Sequence, residues 1–167
     1  MKLLKHLSLC LVLLLAAVFV QAQHTDDKPP PAQMPTFKFY DIEGQPYTNK
    51  QLPAGKPYLL FYYNSECDHC VLATNQLKQV MPVLKLKNVQ VLMLSAETED
   101  KIAAYYGAMS LDKYDNLEML RDKDRSMHFY YEFRNTPYVI LYGADQKVIK
   151  YFETGMIEES ALKAVLK

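Results

Sequence analysis

Cys67 and Cys70, three positions apart, are the residues of this chain best suited to covalent chemistry. They follow the apolar run 58–63 and lead into a helix-patterned segment, so the first thiol falls where a strand gives way to a helix. A helix N-terminus presents unpaired backbone N–H groups and the positive end of the macrodipole, and both favour a thiolate over a thiol. The thiolate is the nucleophile, which makes Cys67 the attacking sulfur. Cys70 lies one turn along the same face, close enough to displace a mixed disulfide and close an internal one. The neighbours pull both ways: a protonated His69 supports the Cys67 thiolate, while Glu66 and Asp68 oppose it with like charge. The balance predicts a Cys67 pKa below that of a free thiol but not extremely depressed, and a redox potential nearer the reducing than the strongly oxidising extreme.

The elements that must hold the pair are legible in the hydrophobic pattern. Residues 36–40 alternate, break at Glu43-Gly44-Gln45 and return at Tyr47-Thr48, which predicts a hairpin. The nearly unbroken apolar run 58–63 suits a strand buried on both faces. After it, Cys70, Ala73, Leu77, Val80 and Leu84 line one helical face, with Pro82 expected to kink the helix or mark its last turn. A strand at 89–94 precedes a helix with Glu97, Glu99 and Asp100 near its start and Ile102, Tyr106 and Met109 inward. Then come a short strand at 117–120, an aromatic helix over 124–133, a hairpin of 138–142 with 147–152, and a last helix beginning at Glu158 and Glu159. The thirteen tyrosines are expected mostly in the core, with a partner groove as the other use for those at 62–63 and 130–131. Parallel strands joined by helices and closed by an antiparallel hairpin make an α/β fold with a central mixed sheet.

At the start of the chain, Lys2 and Lys5 precede an apolar run over 7–20 that ends in small residues, the pattern of a secretory signal peptide over 1–22. The run is shorter than the roughly 18–20 apolar residues of a membrane span. Cys10 would leave with it, so the exported chain keeps only the adjacent pair, in a compartment where disulfides persist. So short a loop staples nothing, and the pair is read as reactive. Residues 23–35 are polar and proline-rich, a flexible tether ahead of a single domain over 36–167. The chain balances 19 Lys and Arg against 19 Asp and Glu, and losing Lys2 and Lys5 leaves it slightly acidic. Nucleic acid is not an expected partner.

The cysteine pair at the strand-to-helix junction, with Thr136-Pro137 ahead of the closing hairpin, resembles the thioredoxin superfamily. The added N-terminal hairpin, the helix-bearing segment 100–107 and the run Arg121-Asp122-Lys123-Asp124-Arg125 make the chain similar to the exported TlpA/ResA-like thiol-disulfide oxidoreductases over 35–167. The resemblance implies a cis Pro137 beside the cysteines and a Thr136 whose backbone pairs with an incoming chain. It also implies cysteine-containing envelope proteins as substrates, an upstream membrane thiol donor, and neither cofactor nor resident metal.

The departures from that family are local to the site. Glu66 replaces the usual aromatic residue, His69 a common proline, Ala73 a glutamate of ResA-like proteins, and Phe61 the buried aspartate of thioredoxin. Water or Glu66 is then left to accept the Cys70 proton. The competing readings are a Sco-like copper chaperone using both thiols and a histidine such as His128, a peroxidase, for which residues 64–66 lack the expected Pro and Thr, and a non-catalytic interaction module.

Overall fold

The computed structural model describes residues 28–166, and the expected signal peptide lies outside them. Seven strands form one sheet: β1 (Lys38–Tyr40), β2 (Pro46–Thr48), β3 (Tyr58–Tyr62), β4 (Gln90–Ser95), β5 (Leu117–Arg121), β6 (Tyr138–Tyr142) and β7 (Val148–Phe152). Their spatial order is β2-β1-β5-β4-β3-β6-β7. The central β3, β4 and β5 are parallel, and β1 and β6 run antiparallel to their inner neighbours. Crossover helices α1 (Asp68–Leu86) and α2 (Glu99–Ala108) join the parallel strands; α3 (Ser126–Tyr131) precedes β6, and α4 (Glu159–Val165) ends the described chain.

Side-chain alternation divides the interior between the two faces of the sheet. Leu59, Phe61, Val91, Met93, Val139 and Leu141 point to one face, where α1 supplies Cys70, Ala73, Leu77, Val80 and Leu84, with Ile102 and Leu162 from α2 and α4. Tyr58, Leu60, Tyr62, Leu94, Tyr138 and Tyr142 point to the other, against Met127 and Tyr131 of α3 and the N-terminal Phe37 and Phe39. Every residue of β3, β4 and β6 is buried, as a strand covered on both sides requires.

Three details differ from the sequence reading. The proline-rich segment expected as a tether over 23–35 is attached to the sheet from Ala32 onward. The Val148 and Met34 amides bond to the Ala32 and Gln146 carbonyls at 3.0 and 2.9 Å, and Met34 is buried. α1, by contrast, ends one turn after Pro82, which marks its last turn as the sequence reading expects. On α2 the fully packed tyrosine is Tyr105, three residues from Ile102, while Tyr106 and Met109 are partly covered. The aromatic helix is shorter than 124–133 because buried Asp122 fixes its start, accepting the amides of Ser126 and Met127 at 2.8 and 2.9 Å.

Candidate active site

Cys67 sits at the N-cap of α1, at the carboxyl end of β3, the position where open α/β sheets place their ligands. An N-cap side chain ordinarily offers an oxygen to the second or third amide of the helix. Here the side chain is a thiol. The amides of Cys70 and His69 act on Cys67 Sγ, though no full capping bond forms. The turn before it is organised by Asn64, whose carbonyl accepts the Cys67 amide at 3.2 Å and whose Oδ1 accepts the Glu66 amide at 2.8 Å.

The two sulfurs have opposite surroundings. Both are free thiols, Cys67 half-buried and Cys70 fully buried. Partial burial pushes the Cys67 thiol up, but hydrogen bonds from the Cys70 amide, the Cys70 thiol, Thr136 and the His69 amide outweigh it and hold the pKa below the ordinary thiol value. Burial dominates at Cys70, which is pushed up to about 11 despite the Asn64 amide, 3.4 Å from its sulfur. Of the two thiols, Cys67 is the more accessible and the more readily ionised, and Cys70 the more firmly protonated.

Thr136 and Pro137 reach the pair from the start of β6, the strand that lies beside β3. The Thr136–Pro137 peptide is cis, and the Cys67 thiol donates to the Thr136 carbonyl at 3.6 Å across 69 positions of sequence. Behind the proline lies Gly155, in the left-handed region at φ +68; a Cβ there would overlap the Pro137 carbonyl oxygen and stand 2.6 Å from its Cγ.

The remaining expected residues are arranged less directly. Asp68 and His69 are exposed, and the contribution of His69 comes through its backbone amide. Glu66 turns away to Lys101, its Oε1 2.5 Å from the ammonium, and that bond holds its carboxyl below the usual range. A carboxylate so paired is a poor proton acceptor, which weighs against Glu66 in that role for Cys70. Phe61 and Ala73, in place of the family's acids, are fully buried beside Cys70 in the same apolar cluster.

Two residues near the pair lie beyond the sequence reading. Glu97, assigned there to a helix start, instead accepts the Ser65 amide at 2.8 Å and the Ser65 hydroxyl at 2.7 Å, fastening the cysteine loop to the end of β4. Tyr105 bonds to Thr74 Oγ1 at 2.7 Å, donates to the Cys70 carbonyl at 3.4 Å and stacks on Tyr63 at 4.6 Å. Its spacing from Ile102 was the available signal. Among the described residues no group of three or more His, Cys, Asp or Glu is gathered to hold a metal ion, and His128 instead packs edge-on against Phe133 at 4.9 Å.

Residues 30–154 match the AhpC/TSA family. The chain belongs to that family. Its fold is thioredoxin-like and is shared with solved thiol redox proteins. A secreted Mycobacterium tuberculosis disulfide oxidoreductase, homologous to E. coli DsbE, is 20% identical with a TM-score of 0.62 over 78% of this chain and 93% of that one. The thioredoxin domain of a Bacteroides vulgatus thiol-disulfide oxidoreductase is 16% identical, with a TM-score of 0.67 over 84% and 99%. A thiol peroxidase from Chromobacterium violaceum is 14% identical, with a TM-score of 0.68 over 85% and 88%. No curated protein is similar to the chain in sequence. Family membership and fold both fit thiol redox chemistry.

Proposed function

We propose that the protein exchanges disulfides with partner polypeptides and serves as a reductant in the cell envelope. The observation that carries this reading is the contrast between the sulfurs: Cys67, half-exposed with a lowered pKa at a helix N-cap, and Cys70, buried one turn below with a raised one. Cys67 Sγ bonds to one sulfur of the partner's disulfide, and the other partner sulfur leaves as a thiolate and takes a proton from solvent. Cys70 then gives up its proton and attacks Cys67 Sγ. The mixed disulfide breaks, the second partner thiol departs, and the protein keeps a Cys67–Cys70 disulfide, two electrons poorer. Thr136 offers its backbone beside the sulfur to an incoming extended chain. Return to the dithiol needs an external thiol, supplied in this reading by a membrane-bound donor. The apolar, small-residue-terminated start of the chain supports export, and no helix among the described residues is long and apolar enough to cross a membrane.

Trapping tests the reading: Cys70→Ser should accumulate mixed disulfides through Cys67, and Cys67→Ser should abolish insulin reduction. A wild-type protein that leaves insulin oxidised would overturn it. The likeness to a thiol peroxidase supports a second reading, in which Cys67 reduces a peroxide to water, becomes a sulfenic acid and condenses with Cys70 with loss of a second water. Peroxide consumption much faster than by a free thiol would favour that reading over exchange.

A further inference from the structure

Two side chains tie the turn before Cys67 to the rest of the fold. The weaker tie is the bridge from Lys101 to Glu66, in which both side chains are at least half exposed, and pairs of that kind hold little. The stronger tie is Glu97. Its two carboxylate oxygens divide Ser65 between them, one accepting the backbone amide at 2.8 Å and the other the hydroxyl at 2.7 Å. Only 12% of the Glu97 side chain is exposed, so these charge-assisted bonds are largely shielded from water.

The carboxylate is itself held in place. Ser95, fully buried at the end of β4, donates its hydroxyl to Glu97 Oε2 at 3.1 Å and accepts the Glu97 amide at 3.3 Å. Lys101 stands 3.8 Å from Oε1. What Ser65 holds in turn is the surroundings of both sulfurs. Its neighbour Asn64 has its amide 3.4 Å from Cys70 Sγ, and its carbonyl and side chain accept the amides of Cys67 and Glu66. Cys67 Sγ depends on the amides of the first turn of α1, and such bonds weaken steeply once they are misaligned.

We propose that Glu97 is a positioning residue for the nucleophile: by gripping Ser65 at both its amide and its hydroxyl, it holds residues 64–66 so that Cys67 meets the start of α1 in the orientation that favours attack. This deepens the exchange reading and rests on Cys67 as the attacking sulfur. It also commits to a sign. A carboxylate bonded two residues before Cys67 opposes a thiolate by like charge, so if charge alone mattered, removing Glu97 would make Cys67 react faster. A positioning role gives the opposite result.

The test is the pH–rate profile of iodoacetamide alkylation on the reduced full chain, with the modified cysteine identified by mass spectrometry. Glu97→Ala should lower the Cys67 rate near neutral pH about tenfold and displace the profile to higher pH. Glu97→Gln can still accept the Ser65 amide and can donate to the Ser65 hydroxyl, so its rate should stay within about twofold of wild type. Ser65→Ala keeps the amide bond and loses the other, for a fall of about threefold. Tyr131→Phe, on the opposite face of the sheet, should weaken the fold and leave the profile unmoved, which separates positioning from general loss of stability. A Glu97→Ala rate equal to or above wild type overturns the proposal, as does a Glu97→Gln variant as slow as Glu97→Ala. Should Glu97→Ala fail to fold, Ser65→Ala decides, and a wild-type profile there overturns the proposal. Insulin reduction is followed in parallel. If these rates contradict the proposal while the wild type still reduces insulin, exchange stands without it; a wild type inert towards insulin removes the exchange reading, and the alkylation rates still report on Glu97.

Discussion

The two faces of the central sheet are built from different chemistry. The face under α1 is mostly aliphatic, with Phe61, Tyr63, Tyr105 and Phe152 as its buried rings, and it holds Cys70 in one cluster with Phe61, Ala73 and Leu77. The opposite face is aromatic, with Tyr58, Tyr62, Tyr131, Tyr138, Tyr142, Phe37, Phe39 and Phe133 in one cluster. Three of its hydroxyls are partnered by side chains in the interior: Tyr62 donates to Asp122 at 3.3 Å, and Tyr131 pairs with Tyr142. An apolar surround raises the energy of a buried thiolate and holds Cys70 protonated until attack is due. A ring with a polar edge can instead line an opening to solvent, which the aromatic face does at Tyr62. One face sets the reactivity of the buried sulfur, and the other stands apart from it.

That division fails if substitutions on the two faces have the same consequences. The largest effect is expected from Leu77→Ala on the thiol face, which leaves a void beneath α1 and should cost about 2–5 kcal/mol in urea denaturation. The variant should also lose the contrast between the thiol pKa values, because α1 carries both sulfurs. Next is the pH dependence of the reduced protein. Cys70 ionises near 9.0 when unfolded and at about 11 when folded, so the native state holds the extra proton between those values. Stability must therefore fall as pH rises through that window, by an amount on the order of 2 kcal/mol that Cys70→Ser removes. A reduced protein as stable at pH 11 as at pH 9 would contradict the burial assigned to this face.

On the aromatic face, Tyr131→Phe removes one hydroxyl of a buried pair and should cost only about 1 kcal/mol, without moving the Cys67 pH–rate profile. That profile, followed by alkylation of the reduced protein, should show an apparent pKa below that of the unfolded chain's cysteine. The smallest change is expected from Glu66→Gln. Its bond to Lys101 is exposed, so the alkylation rate should shift less than twofold and the shift should fade with added salt.

Much of this was readable from residue order, for reasons that differ between elements. β3 and α1 are strongly periodic, and the cysteines fall at their junction, so the place of the pair at the start of a helix could be read without coordinates. Thr136 and Pro137 were assigned by likeness, since nothing in the local sequence says that a loop 69 residues away reaches Cys67. The role of Glu97 was hidden because acids near a helix start have an ordinary explanation, and its bonds to Ser65 depend on the packing of two loops. Tyr105 was passed over for Tyr106 because both fit a helical stripe and only tertiary packing separates them. The anchored stretch at Ala32 and Met34 shows the limit of composition, since prolines predict an extended backbone but not whether the sheet edge will accept it.

Gly155 brings no functional group, yet the hollow at its α-carbon admits the loop that faces the sulfur. A methyl group there would push Pro137 outward and draw the Thr136 carbonyl away from Cys67. Such a lesion would read as inactivation in an assay while both thiols stayed chemically whole, so part of this reaction centre consists of atoms that must be missing.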